Sequence, residues 1–221
     1  MIVFDNVTKS YRTHAGSKVI LDAATFEFRS GHNVGILGMN GAGKSTLLRL
    51  IAGAEPADSG DIRRNARISF PLGFSGTFHP HLTGRENAIF MARIYGERVK
   101  RVVDFVFDFS ELGPYFDMPL QTYSSGMMAK LAFGISLAID FDVYLVDEVT
   151  EVGDARFRRK SAQAFQERMS RSDIIMVSHN SNTIRTYCDT GAVLANGSIV
   201  FYDSLHEAMM AYRRLMGTSD A

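Results

Sequence analysis

The sequence predicts an α/β fold: a core of strands and helices, interrupted by an all-helical stretch. Three observations in the 221 residues point to it. Short β-like runs fill the first sixty or so residues and lead into a strand, Asn33 to Leu37, a glycine-rich turn and a helix. Helical patterns alone occupy about Gly73 to Ile139. Buried-strand patterns then return, each followed by a helix or hairpin signal.

In order, Val19-Ile20-Leu21 and Thr25 to Phe28 read as strands, with Ser30-Gly31 as a turn. After the strand ending at Leu37, Lys44 to Ala52 reads as a helix stopped by Gly53, and Ile62 to Phe70 as extended chain. Thr83-Gly84-Arg85-Glu86 is a capping box opening a helix to about Tyr95. A second helix, Arg98 to Phe109, carries Val99, Val102, Val103 and Val106 at helical spacing, and a third runs from Ser125 to Ile139. Val143 to Val146 is an apolar strand ending in acids, Asp154 to Ser170 a helix, Ile174 to Val177 another buried strand and Thr183 to Tyr187 a short helix. Asn196-Gly197 between Ala192-Val193-Leu194 and Ser198 to Phe201 signals a hairpin, and Ser204 to Met216 a last helix. The expected division is a nucleotide-binding core of 1–72 and 140–221 around a helical subdomain of 73–139.

Composition narrows the function classes. Lysine plus arginine and aspartate plus glutamate each total 24, so the net charge is zero, which argues against a dedicated nucleic-acid binder. With 46% hydrophobic and 22% charged residues the chain has the balance of a globular protein. The longest stretch without Asp, Glu, Lys or Arg, Ile68 to Gly84, spans 17 residues and holds two prolines, too short and broken for a membrane-spanning helix. The N-terminus lacks a basic, then apolar leader, so no secretory signal is expected. Cys188 is the only cysteine, which excludes an internal disulfide and reads as an inert buried thiol. His79 and His81, two apart across Pro80, do not make a metal site, and Arg156 to Lys160 reads as a solvated helix face.

Gly38-Met39-Asn40-Gly41-Ala42-Gly43-Lys44-Ser45 fits G-x-x-x-x-G-K-[ST] at each fixed position, between a strand and a helix as the motif requires. Its glycines let backbone wrap phosphate oxygens, and the loop amides with the helix end favour negative charge. Lys44 is expected to reach the β- and γ-phosphates and the Ser45 hydroxyl to ligate magnesium. Asp147 and Glu148 end an apolar strand, where ligands of parallel sheets bind. Asp147 suits magnesium; Glu148 suits orienting or deprotonating an attacking water. His179 follows Glu148 by 31 residues, room for one helix and one return strand, and is placed beside Asp147 to contact a γ-phosphate. Ser124-Ser125-Gly126 opens a helix; from the residues alone it is as much a structural N-cap as a functional one.

The order of these four stations resembles the ABC-type ATPases over essentially the whole chain. That resemblance implies a P-loop core of ABC type: a mixed sheet flanked by helices, an N-terminal antiparallel β subdomain and an inserted helical subdomain. Tyr123 to Met127 resembles the family's signature loop, usually Leu-Ser-Gly-Gly-Gln. The resemblance implies that Ser124, Ser125, Gly126 and Met127 touch the γ-phosphate of ATP held by a second copy, two ATPs lying between head-to-tail subunits. It also implies that Tyr11 stacks on adenine, that Gly38 to Thr46 hold the nucleotide with Mg²⁺, and that Asp154 contacts the partner copy. The usual glutamine of the coupling loop is missing; the family pattern puts Phe74 there, with His79 as a nearby polar substitute.

Within the family, Phe70 to Asn87, with its Gly-Phe-x-Gly-x-Phe and Leu-Thr-Gly-x-x-Asn runs, is similar to subunits that export capsular polysaccharide. The short end after His206 agrees with that type rather than with O-antigen exporters carrying an added carbohydrate-binding domain. The resemblance implies an ATPase on the cytoplasmic face of the inner membrane, paired with itself and an integral membrane permease, within an assembly that includes a periplasmic adaptor and an outer-membrane channel. The competing expectation is a soluble ABC-type ATPase; such proteins usually fuse two ATPase units or carry a long coiled-coil insertion, and neither is present.

Overall fold

The computed structural model describes residues 1–13, 16–71, 78–147, 155–178 and 181–217. These fall into two compact units: the described residues of 1–71, 142–148 and 172–221, and those of 72–141 and 149–171.

The first unit holds two sheets. Strands β1 (Ile2–Thr13), β2 (Gly16–Phe28) and, after the helix described below, β4 (Ser59–Arg64) make an antiparallel sheet in the order β2-β1-β4. The register slips between Phe4 and Ser10, and Asn6 and Ala23 have positive φ. Such bulges break the apolar alternation, which is why the sequence shows short runs where two long strands stand. Strand β3 (Val34–Leu37) leads through the glycine loop into α1 (Lys44–Ala52), which Gly53 ends as expected. Chain expected to be extended from Ile62 enters β4 earlier and leaves it at Arg64. There the guanidinium turns back to the Leu50 and Ile51 carbonyls, satisfying the end of α1.

The second sheet runs β5-β6-β3-β7-β8, from β5 (Val143–Asp147), β6 (Asp173–Val177), β7 (Thr190–Ala195) and β8 (Ser198–Tyr202). The first four strands of that order are parallel and β8 is antiparallel to β7 across the Asn196-Gly197 turn. Residues of β3 and β5 are buried on both faces, which explains their unbroken apolar runs. Val34, Ile36, Leu145, Ile175 and Val177 join Leu47, Leu50 and Ile51 of α1 in one core. Helices α6 (Ser181–Tyr187) and α7 (Leu205–Leu215) complete the unit. This is the predicted mixed sheet with helices and an N-terminal antiparallel sheet.

The helical unit contains α2 (Gly84–Ile94), α3 (Val99–Ser110), α4 (Ser125–Ala138) and α5 (Ala155–Met169). The capping box of α2 is complete: Thr83 Oγ1 accepts from the Glu86 amide at 3.1 Å and the Thr83 amide donates to Glu86 Oε2 at 2.8 Å. The sequence division puts α5 in the core, but it packs here. Phe157 lies edge-on to Phe109 at 5.5 Å, and Lys160 Nζ donates to Phe109 O at 3.0 Å and Glu111 Oε1 at 2.8 Å. Position after β5 suggested the sheet; the aromatic face of α5 decided otherwise.

Candidate active site

The loop Gly38–Gly43 leaves the C-terminal end of β3 and becomes the start of α1. Gly41 and Gly43 have φ of 79° and 106°, a region L side chains rarely adopt. A Cβ on Gly43 would lie 2.4 Å from Ile20 Cγ2, so glycine is required for space as well. No side chain caps α1, and its first amides have no carbonyl above them in the helix. Lys44 is buried and folds back over the loop, donating to Gly38 O at 2.6 Å and Met39 O at 3.0 Å.

A cleft of about 500 Å³ opens over this loop. Ser45 lines it beside Asp147, the last residue of β5, which pairs with Val177 of β6. The Ser45 hydroxyl and the Asp147 carboxylate, with the first amides of α1, fit a magnesium-bound polyphosphate. Tyr11 and Thr46 also line the cleft. Glu148, His179, Phe74 and Asp154 lie outside the described residues.

Two features of this cleft were not legible in the sequence. Lys18 lines it from β2, its Nζ 3.1 Å from the place a Cβ on Gly41 would take, adding a cation above the loop. Its spacing from Ile20, two residues on in a strand, was the available signal. Beneath Tyr11 is an ion network. The Tyr11 hydroxyl donates to Glu55 Oε1 at 2.5 Å, Arg49 Nε donates to Glu55 Oε2 at 3.0 Å, and Lys9 Nζ stands 3.0 Å from Glu55. Burial alone would raise the Glu55 carboxyl, but hydrogen bonds from Tyr11, Lys9 and Arg49 outweigh it and hold the group down at about 2. Arg49 also donates to Thr46 Oγ1 at 3.1 Å, so the network ties the tyrosine to the first turn of α1.

In the helical unit Ser124 is the N-cap of α4, its Oγ accepting from the Met127 amide at 3.2 Å. Ser124 and Ser125 are exposed, and Gly126 and Met127 half-buried. His79 is exposed, its amide donating to Asn87 Oδ1 at 2.9 Å. The Cys188 thiol is buried, which with the neighbouring Asp189 charge pushes it up to about 12. No helix among the described residues is long and apolar enough to cross a membrane.

A glycine-loop nucleotide cleft on a mixed sheet, with a capped helix start in a separate helical unit, is the build of an ATP-binding cassette. The model of the ABC transporter family matches residues 21–151, and the chain belongs to that family. It is 49% identical over 216 residues, 96% of each chain, to the polysialic acid transport ATP-binding protein KpsT of Escherichia coli. It is 46% identical to the capsule polysaccharide export ATP-binding protein CtrD of Neisseria meningitidis serogroup B, over 97% of this chain and all of that one. Among solved structures it resembles the ATP-binding cassette MJ0796, a dimer bound to ADP and Pi, with a TM-score of 0.74 at 20% identity over 90% of this chain and 96% of that one.

Proposed function

We propose that this chain is the ATP-hydrolysing subunit of an exporter of capsular polysaccharide, seated on the cytoplasmic face of the inner membrane against an integral permease. The carrying observation is near-half identity, end to end, with relatives named for transporting or exporting such polymers. The loop amides and Lys44 bind the phosphates, and Tyr11 offers its ring to adenine while Glu55 holds its hydroxyl. Ser45 and Asp147 hold the magnesium ion, which when bound neutralises charge on the phosphates. Glu148 takes the proton of the attacking water and His179 contacts the γ-phosphate. Nucleic acid has no part in this reading.

A single chain is half a site in this proposal. Ser124, Ser125, Gly126 and Met127 of a second copy close on the γ-phosphate, so ATP favours a head-to-tail dimer and hydrolysis releases it. Opening and closing act on the permease through the segment around Phe74 and His79. The wider assembly includes a periplasmic adaptor and an outer-membrane channel. Deleting the gene in its host tests the reading. The surface polysaccharide is expected to disappear and polymer to accumulate inside, with rescue by the wild-type chain and not by Lys44→Ala; an unchanged surface coat would contradict it.

A further inference from the structure

We infer that Tyr123 is a positioning residue for the signature helix start, its phenol seated in the space that Gly84 leaves free. The inference rests on the proposed role of Ser124. The Tyr123 hydroxyl donates to Tyr115 O at 2.7 Å. Gly84 is the first residue of α2. A Cβ on Gly84 would stand 2.6 Å from this hydroxyl and 3.0 Å from Phe116 Cδ2 and Phe116 O. Glycine is needed there for room, not for an unusual backbone angle. Tyr123 and Gly84 are therefore a matched pair, large and polar against absent. A leucine, usual at the Tyr123 position in the resembling signature, would not supply this hydrogen bond.

The pairing extends along the backbone. The Leu120 amide donates to Leu82 O at 3.0 Å and the Gln121 amide to Pro80 O at 2.9 Å, and Thr83 bridges Pro119. The stretch just before Ser124 is thus bonded to the stretch just before α2, and Tyr123 is the last tie, one residue from the cap. The floor is fixed too: the Arg85 guanidinium lies 5.0 Å over the Phe116 ring while its Nε bonds Asp117 at 2.6 Å. With Tyr123 held at backbone and hydroxyl, the direction in which the Ser124 hydroxyl and the α4 amides point is set by the segment just before α2 and by Tyr115.

ATPase kinetics of the full chain, with nucleotide affinity measured separately, test this. Tyr123→Phe keeps the ring and loses the hydrogen bond to Tyr115 O. Its kcat is expected to fall about five- to tenfold, the worth of one such bond, with ATP affinity within about twofold because the phosphate loop belongs to the other unit. Gly84→Ala is expected to be worse in the native background and clearly milder in a Tyr123→Leu background, since the 2.6 Å clash is then gone and only the 3.0 Å contacts with Phe116 remain. A Tyr123→Phe enzyme with normal kcat, or Gly84→Ala and Tyr123→Leu effects that simply add, would overturn the inference. Ser124→Ala separates the two readings. If it leaves kcat and ATP-driven dimerisation unchanged, the proposed sandwich falls and this inference with it. If it cripples turnover while Tyr123→Phe does not, only the inference falls.

Discussion

The two helix starts that this chain would bring to a nucleotide are built in opposite ways. Helix α1 opens from Gly43 in a left-handed conformation with no side-chain cap, so its first turn is left for a ligand. Helix α4 opens from Ser124 in an extended conformation, with the serine hydroxyl already on the Met127 amide. The first start has no side-chain partner for its amides; at the second the Met127 amide is already taken and would trade that bond to engage an anion. This contrast suits a motor in which one unit holds ATP continuously and the other joins and leaves it.

The sharpest way to break the comparison is at the loop. Lys44→Ala removes the buried cation, and phosphate release is expected to fall by about 10²–10³, the cost of losing a placed donor in a charged transition state. Unchanged turnover would mean that the α1 start is not the ATP site. Gly43→Ala forces a side chain into φ of 106° and against Ile20. It is expected to weaken nucleotide binding and to lower stability by about 1–3 kcal/mol, read by denaturant unfolding.

The capped start can be isolated by an internal control. Ser124 and Ser204 cap α4 and α7 with the same hydrogen bond, each hydroxyl accepting at 3.2 Å from the amide three residues on. Replacing either with alanine is expected to cost about 1 kcal/mol of stability. Only Ser124→Ala is expected also to slow ATP turnover. Equal kinetics in the two variants would reduce Ser124 to a structural cap.

The smallest effect concerns the network under Tyr11. Glu55 is held at about 2 when folded, against 4.5 unperturbed, so its stabilisation is full above pH 4.5 and fades as pH falls towards 2. Glu55→Gln is expected to be less stable than the wild type by roughly 1–3 kcal/mol at pH 7, with the gap closing through that acidic window. A gap that is flat with pH would show that the carboxylate charge is not what holds Tyr11.

The same comparison explains what was legible in the sequence. The phosphate loop could be read because backbone chemistry imposes residue types: Gly41 and Gly43 need positive φ, and Lys44 and Ser45 must follow at fixed spacing. The strands β3, β5 and β6 and the capping box at Thr83 were readable for the same local reasons. The long bulged strands β1 and β2 were not, because bulges scramble alternation. Nor was the place of α5, since Phe157 and Phe165 find Phe109 and Phe133 only in three dimensions. The contact of Glu55 with Tyr11 and the pairing of Tyr123 with Gly84 join residues far apart in the chain and follow no fixed spacing. Ser124 was readable as a helix cap alone; the role proposed for it at a second copy's ATP came from resemblance.

Particle mass in solution, measured with ATP and magnesium on a Glu148→Gln variant, tests the two-copy site most directly. The account predicts a stable species of twice the monomer mass that returns to monomer when nucleotide is removed. A chain that stays monomeric under those conditions, while the wild type hydrolyses ATP at a rate independent of protein concentration, would contradict it.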